Sequence, residues 1–217
     1  MRTHSKETQD TTTPQMALQF LKEGNARFMN NLKVNRNLLE QVNDTKEGQW
    51  PFAVILSCID SRTSAELIFD QGLGDVFSVR IAGNVINEDI LGSMEFACKV
   101  AGSKLIMVLG HSKCGAIKGA CNHVELGNLT GLLEKVHPAI EKVKSEGKET
   151  VNPEFIEAVA HANTLHTLEE VLKRSPILKE MYENGEIGLA AGYYSVETGE
   201  VKFLKEKVLS PVAEEVN

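Results

Sequence analysis

The sequence predicts an α/β fold: a mostly parallel central β-sheet flanked by helices, with a helical arm ahead of it and a C-terminal hairpin behind. Three observations carry that expectation. Two apolar runs of strand length, Phe52-Ala53-Val54-Ile55-Leu56 and Leu105-Ile106-Met107-Val108-Leu109-Gly110, contain no polar side chain, as strands buried on both faces do. Such runs alternate with stretches of helical periodicity, the pattern of parallel βαβ units. The chain of 217 residues, 42% apolar and 24% charged, has the size and composition of one domain with a full core.

The elements follow in order. Residues 1–13 are rich in Thr, Ser, Lys and Asp and are expected to be a disordered tail, with 14–217 a single domain and 14–46 its arm. Thr13-Pro14 reads as an N-cap and first helical position. Ala17, Leu18, Leu21, Phe28 and Leu32 then stripe one face of a helix expected to be interrupted or bent near Gly24. A short helix over 36–46 ends at Gly48. Both helices need a surface to cover, either their own sheet or a neighbouring copy. After the first strand come a helix over 64–70, a strand over 76–81, a helix to 100 and the strand ending at Gly110. Helices are expected over 115–124, 130–144, 153–173 and 176–184, with a charged loop at 145–150. Strands over 188–194 and 201–204 close the chain as the hairpin.

A net charge of −7 argues against nucleic acid and anionic membrane surfaces as partners. No apolar run approaches about 18 residues, so no membrane-spanning helix is expected. The polar N-terminus has no signal-like apolar region, which points to the cytoplasm, or to the periplasm if a signal has been trimmed. Cys58, Cys98, Cys114 and Cys121 make no short-spaced disulfide framework and suit a reducing compartment.

Two clusters carry the chemistry. Ser57-Cys58-Ile59-Asp60-Ser61-Arg62 follows the first apolar run, and His111-Ser112-Lys113-Cys114-Gly115 follows the other. Both fall at C-terminal strand ends, where open α/β sheets gather ligands. Each motif alone matches by accident often enough to be a buried thiol beside an ordinary turn. Together, two thiolates and one imidazole make an open, three-ligand zinc site on Cys58, His111 and Cys114. A rival set with Cys121 and His123 fails. On a helix, Cys114 and Cys121 would stand about 10 Å apart, too far for two bonds of about 2.3 Å to one ion. Cys98, Cys121 and His123 are expected to be core or supporting residues. Zinc on two thiolates and a neutral imidazole carries no net charge. Its water should therefore ionise above the pKa of about 7 of a three-His site, and activity should rise toward alkaline pH. Asp60 can either accept a hydrogen bond from that water or take the fourth position itself. Arg62, placed to pair with Asp60, would hold it off the metal.

At this point Cys-x-Asp-x-Arg, followed about fifty residues on by His-x-x-Cys-Gly, resembles the β-class carbonic anhydrases, from Gln49 through Gly119. The resemblance implies zinc on Cys58, His111 and Cys114, an Asp60–Arg62 dyad, and hydration of carbon dioxide to bicarbonate by zinc-bound hydroxide. It implies a homo-oligomer, a dimer or dimer of dimers, with the arm embracing the neighbour and the active site near the interface. Gln49 matches a substrate hydrogen-bond donor of the plant-like subgroup, Phe77 and Val79 its apolar pocket, and Phe96 a position where that subgroup often has Tyr. Ile55 stands where bicarbonate-inhibited relatives carry Trp, so the likeness is to the non-allosteric subgroup, although Arg80 and Tyr194 are present. Two other readings stand beside it: hydrolysis of carbonyl sulfide or carbon disulfide on the same fold, and a non-catalytic zinc module with Asp60 as permanent fourth ligand.

Overall fold

Five strands form one sheet in the order β2-β1-β3-β4-β5. They are β1 Ala53–Ser57, β2 Val76–Arg80, β3 Leu105–His111, β4 Gly188–Tyr194 and β5 Val201–Lys207. The first four run parallel, and β5 returns antiparallel to β4. The structure is a computed structural model that describes residues 3–147 and 150–207. Residues 1–2 of the expected tail, 148–149 of the charged loop and 208–217 at the end of the expected domain lie outside the described residues.

Every residue of β1, β3 and β4 is buried, the physical reason their sequences lack polar alternation. On one face Val54, Leu56, Ile106, Val108 and Leu189 meet three helices: α5 (Glu88–Glu95), α9 (Pro153–Arg174) and α10 (Pro176–Glu183). On the other, Ala53, Ile55, Leu105 and Met107 meet α2 (Pro14–Met29) and α4 (Ala65–Ile68) through Leu18, Leu21 and Ile68. Burying each such Leu, Ile or Val contributes about 1.5–3 kcal/mol. Helix α9 crosses the end of β3 so closely that a Cβ on Gly110 would stand 2.0 Å from Thr164 Oγ1. That approach fixes α9 directly behind His111.

Four local expectations are corrected. The polar N-terminus is not a disordered tail throughout. Ser5 caps a helix, α1 (Lys6–Thr11), and buried Gln9 donates to the carbonyls of Pro51 and Ala101, both at 2.8 Å. One side chain satisfying two carbonyls anchors a segment whose composition gives no sign of order. Helix α2 does not break at Gly24; the glycine instead admits the Phe69 carbonyl, which would lie 1.7 Å from a Cβ there. The helix expected over 130–144 is two, α7 (Gly127–Leu133) and α8 (His137–Ser145), because Pro138 starts a helix more readily than it continues one. The helix to residue 100 widens after Glu95 into a π-helical turn, Phe96–Val100. The remaining helices are α3 (Leu38–Thr45) in the arm and α6 (Gly115–Cys121).

A buried ion cluster ties the arm to the sheet layer. Asp70, 3% exposed at its side chain, accepts from Arg27 Nε and Arg36 Nη1, each at 2.6 Å, and from the Val34 N–H at 3.2 Å. Arg36 also donates to the Asp70 carbonyl. Asp70→Ala leaves buried Arg36 without its counter-charge and is expected to cost about 3–5 kcal/mol. Urea unfolding should show a lower midpoint at unchanged slope; an unmoved midpoint would show that the arm is held elsewhere.

Candidate metal centre

Strands β1 and β3 pair in register, Ser57 opposite Leu109, so their C-terminal ends open on the same edge of the sheet. Cys58 leaves β1 there, His111 is the last residue of β3, and Cys114 is the N-cap of α6. The ligand atoms of these three residues all lie within 4.8 Å of one another, and all three residues are buried. The two sulfurs are 3.9 Å apart, close to the roughly 3.8 Å that two bonds of about 2.3 Å subtend at a tetrahedral ion. His111 Nδ1 lies 2.9 Å from the Ser112 carbonyl. A carbonyl only accepts, so Nδ1 carries the hydrogen and Nε2 keeps its lone pair. That Nε2 is buried and has no partner among the described residues. An orphaned imidazole nitrogen facing two adjacent thiols fits zinc, and fits magnesium or calcium poorly.

The surroundings favour a thiolate at Cys58. Cys58 is pulled down, first by the hydrogen bond from Cys114 and then by the Gly83 and Asp60 N–H groups, against burial. Cys114 is pushed up, because it keeps the proton the pair shares, while the Ala116 and Ile117 N–H groups opening α6 work the other way. A cation between the sulfurs is what lets both ionise together. Outside this pair, burial pushes Cys98 up to about 12 and Cys121 up to about 11, as inert core thiols.

Asp60 faces Arg62. The guanidinium donates Nε to Oδ1 at 3.0 Å and Nη2 to Oδ2 at 2.7 Å, and the Arg62 N–H adds a third bond to Oδ1 at 2.9 Å. This fork holds the Asp60 carboxyl down at about 2. Both Asp60 carboxylate oxygens are taken by Arg62, the pairing on which the open arrangement weighed from sequence depends. Arg80 donates to the carbonyls of Cys58 (3.0 Å) and Asp60 (2.7 Å), and Thr63 Oγ1 reaches the same two. Arg80 is thus committed to shaping the ligand loop, and Ile55 is fully buried in the core.

Three supporting residues escape any motif. The Gly83 N–H lies 3.3 Å from Cys58 Sγ, and Asn163 Nδ2 donates to the Gly83 carbonyl at 2.8 Å. Glu157 accepts from the Lys113 N–H at 2.7 Å and from the Tyr193 hydroxyl at 2.5 Å. Lys113 is left-handed, φ 56°, so Glu157 pins the unusual turn between His111 and Cys114. The signal for these residues lies in three dimensions, since they are far from the motifs in sequence.

A cavity of about 370 Å³ adjoins the centre, lined by Cys58, Ile59, Asp60, Ala82, Ala116, Val124 and Leu133 among others. The substrate residues inferred from resemblance lie elsewhere in a single chain. Phe77, Val79 and Phe96 line a separate groove of about 660 Å³. Phe77 is in register with Val54, four residues before Cys58 and hence about 13 Å back along the strand. Gln49 is exposed and precedes β1, at the opposite end of that strand from Cys58.

The comparisons agree with the geometry. The family model described as carbonic anhydrase matches residues 53–201. Carbonic anhydrase 2 of Mycobacterium tuberculosis is 37% identical over 194 residues, covering 87% of this chain and 91% of that protein. The structure of the β-carbonic anhydrase CcaA superposes with a TM-score of 0.71 at 28% identity, over 87% of this chain and 95% of that one. Tetrameric β-carbonic anhydrases of Sordaria macrospora share the fold, with a TM-score of 0.68 at 24% identity over 73% of this chain and 83% of theirs.

Proposed function

This chain belongs to the β-class carbonic anhydrases and catalyses the zinc-dependent, reversible hydration of carbon dioxide to bicarbonate and a proton; on that premise we propose how its own residues divide the work. The observation that carries the reading is the buried cluster of Cys58, His111 and Cys114 with the His111 Nε2 unpartnered beside two sulfurs 3.9 Å apart. Zinc held there supplies the Lewis acidity that makes a water molecule nucleophilic near neutral pH. Asp60, kept ionised and turned away by Arg62, is the hydrogen-bond acceptor that orients the attacking water. Arg62 is the gate: while it holds both carboxylate oxygens, Asp60 does not compete for the metal. A permanently closed zinc module has no use for that fork. The apolar walls beside Cys58, including Ile59, Ala116, Val124 and Leu133, suit a small linear apolar substrate and limit the water around it.

Gln49, Phe77, Val79 and Phe96 act, in this reading, on the centre of a neighbouring copy. A dimer or a dimer of dimers supplies that neighbour. Exposed Leu38, Leu39 and Val42 on α3, and exposed Phe96, favour such an assembly. Sedimentation equilibrium at low protein concentration should return at least a dimer, and an active monomer would mean that one chain completes its own site. A reducing, cytoplasmic setting suits four free cysteines. Among the described residues no helix is long and apolar enough to cross a membrane. Stopped-flow carbon dioxide hydration, with zinc measured on the same sample, tests the function. Zinc-replete protein with no hydration activity would overturn it, and assays with carbonyl sulfide and carbon disulfide would then decide for a hydrolase.

A further inference from the structure

The turn Ala82–Asn84 presses against the metal centre in a conformation that needs holding. Gly83 has φ 71° and Asn84 φ 44°, two left-handed residues in succession, and the second carries a Cβ. The Gly83 N–H points at Cys58 Sγ. The Gly83 carbonyl belongs to the next peptide unit and is taken by Asn163 Nδ2 at 2.8 Å. Asn163 lies midway along α9, 1% exposed, where its helix neighbours Val159, Ala160 and Ala162 pack into an apolar cluster that includes Cys58 and Cys114. Its Oδ1 has no partner among the described residues. A half-satisfied amide in such a place works against stability, and leucine, of similar size, would avoid that penalty. The one thing leucine lacks is a donor for Gly83.

We infer that Asn163 is a positioning residue of the metal centre, fixing the Gly83–Asn84 peptide so that the Gly83 N–H stays aimed at the Cys58 sulfur. With the carbonyl held, the φ and ψ of Gly83 leave its N–H one direction. That bond draws electron density from the thiolate and fixes the orientation of the sulfur before metal arrives. Asn163 touches neither metal nor substrate; it acts through Gly83. The inference rests on the metal-centre reading above and goes beyond it, since neither Cys-x-Asp-x-Arg nor His-x-x-Cys-Gly contains any part of α9.

Cobalt(II) substitution tests it without reference to turnover. In Asn163→Leu the sulfur loses its fixed N–H donor and becomes richer in electrons, so the thiolate-to-cobalt charge-transfer band should move to longer wavelength. Zinc affinity, from competition with a chromophoric chelator, should fall about tenfold or more. Thr167→Val, one turn further along α9 and as deeply buried, is the control and should leave the spectrum unchanged. Should the leucine variant fail to fold, Asn163→Ala carries the same test. A wild-type spectrum in the variant overturns the inference, even with weaker zinc binding, because a merely loosened helix would give that result. A band that moves equally in Thr167→Val overturns it as well. Wild-type protein that takes up cobalt without any sulfur charge-transfer band would instead sink the metal-centre reading on which it rests.

Discussion

Cys58→Ser, His111→Ala and Cys114→Ser should each leave the protein without stoichiometric zinc. Three protein donors are the fewest that retain zinc in an open site, and each of these supplies one of three buried ligand atoms. Activity should then fall by on the order of 10³-fold or more, since the group that activates water is gone. Cys121→Ser and Cys98→Ser are the controls. Their thiols are pushed up by burial and lie outside the clustered donors, so both variants should bind zinc one to one and keep most of their turnover. Metal analysis of the five purified variants decides the matter. If Cys121→Ser came out metal-free while Cys58→Ser kept its zinc, the ligand assignment would be wrong.

Arg62→Ala should lower carbon dioxide hydration at neutral pH by roughly 10²-fold while zinc stays bound, because the freed Asp60 carboxylate can turn toward the metal. Asp60→Asn should impair turnover for a different reason, losing the negative acceptor with the metal site still open. The acid limb tests the pairing itself. The Asp60 carboxyl is held at about 2, below the ordinary carboxylate value of about 4, chiefly by the Arg62 side-chain hydrogen bonds. A depressed carboxyl contributes stability that is present above about pH 4 and is lost as pH falls through about 2. Without Arg62 that contribution disappears, so acid unfolding of Arg62→Ala should begin at higher pH than in wild type. Stopped-flow pH profiles, acid titrations followed by circular dichroism and zinc analysis together check this. Full activity with an unchanged profile in Arg62→Ala would remove the gate.

Strand and ligand placement were legible from sequence for one reason. A strand buried on both faces must be apolar throughout, so β1 and β3 announce themselves, and the polar residue that ends each run marks the same edge of the sheet. Asn163 and Glu157 were not legible, because α9 mixes buried polar residues (Asn163, Thr164, Thr167) with apolar ones and nothing in their spacing points to residues 83 or 113. Gln9 was hidden by its own composition, since a segment of Ser, Thr, Lys and Asp gives no sign that one amide will reach two carbonyls. The roles proposed for Gln49, Phe77, Val79 and Phe96 concern relations between copies, which neither spacing nor one chain's geometry contains. Pro138, by contrast, was readable as a helix start, and the expected single helix over 130–144 overlooked it.

The strand order also sets a timetable for folding. Ala53 pairs with Val76, then with Leu105, while Leu105 pairs with Gly188, separations of roughly twenty, fifty and eighty residues. Loop-closure entropy makes the longest of these costlier than the shortest by about 1 kcal/mol, and pairs distant in sequence form slowly. The crevice of Cys58, His111 and Cys114 needs only β1 and β3, so a chain can offer zinc its three donors before the local β4–β5 hairpin docks on β3. The brace from α9 arrives later, lying between β3 and β4 in the chain. Zinc captured early would then act as a template on which the second half of the sheet closes. Pulse-labelled hydrogen exchange during refolding should protect the amides bonded between β1 and β2 before those bonded between β3 and β4, and simultaneous protection would remove the timetable.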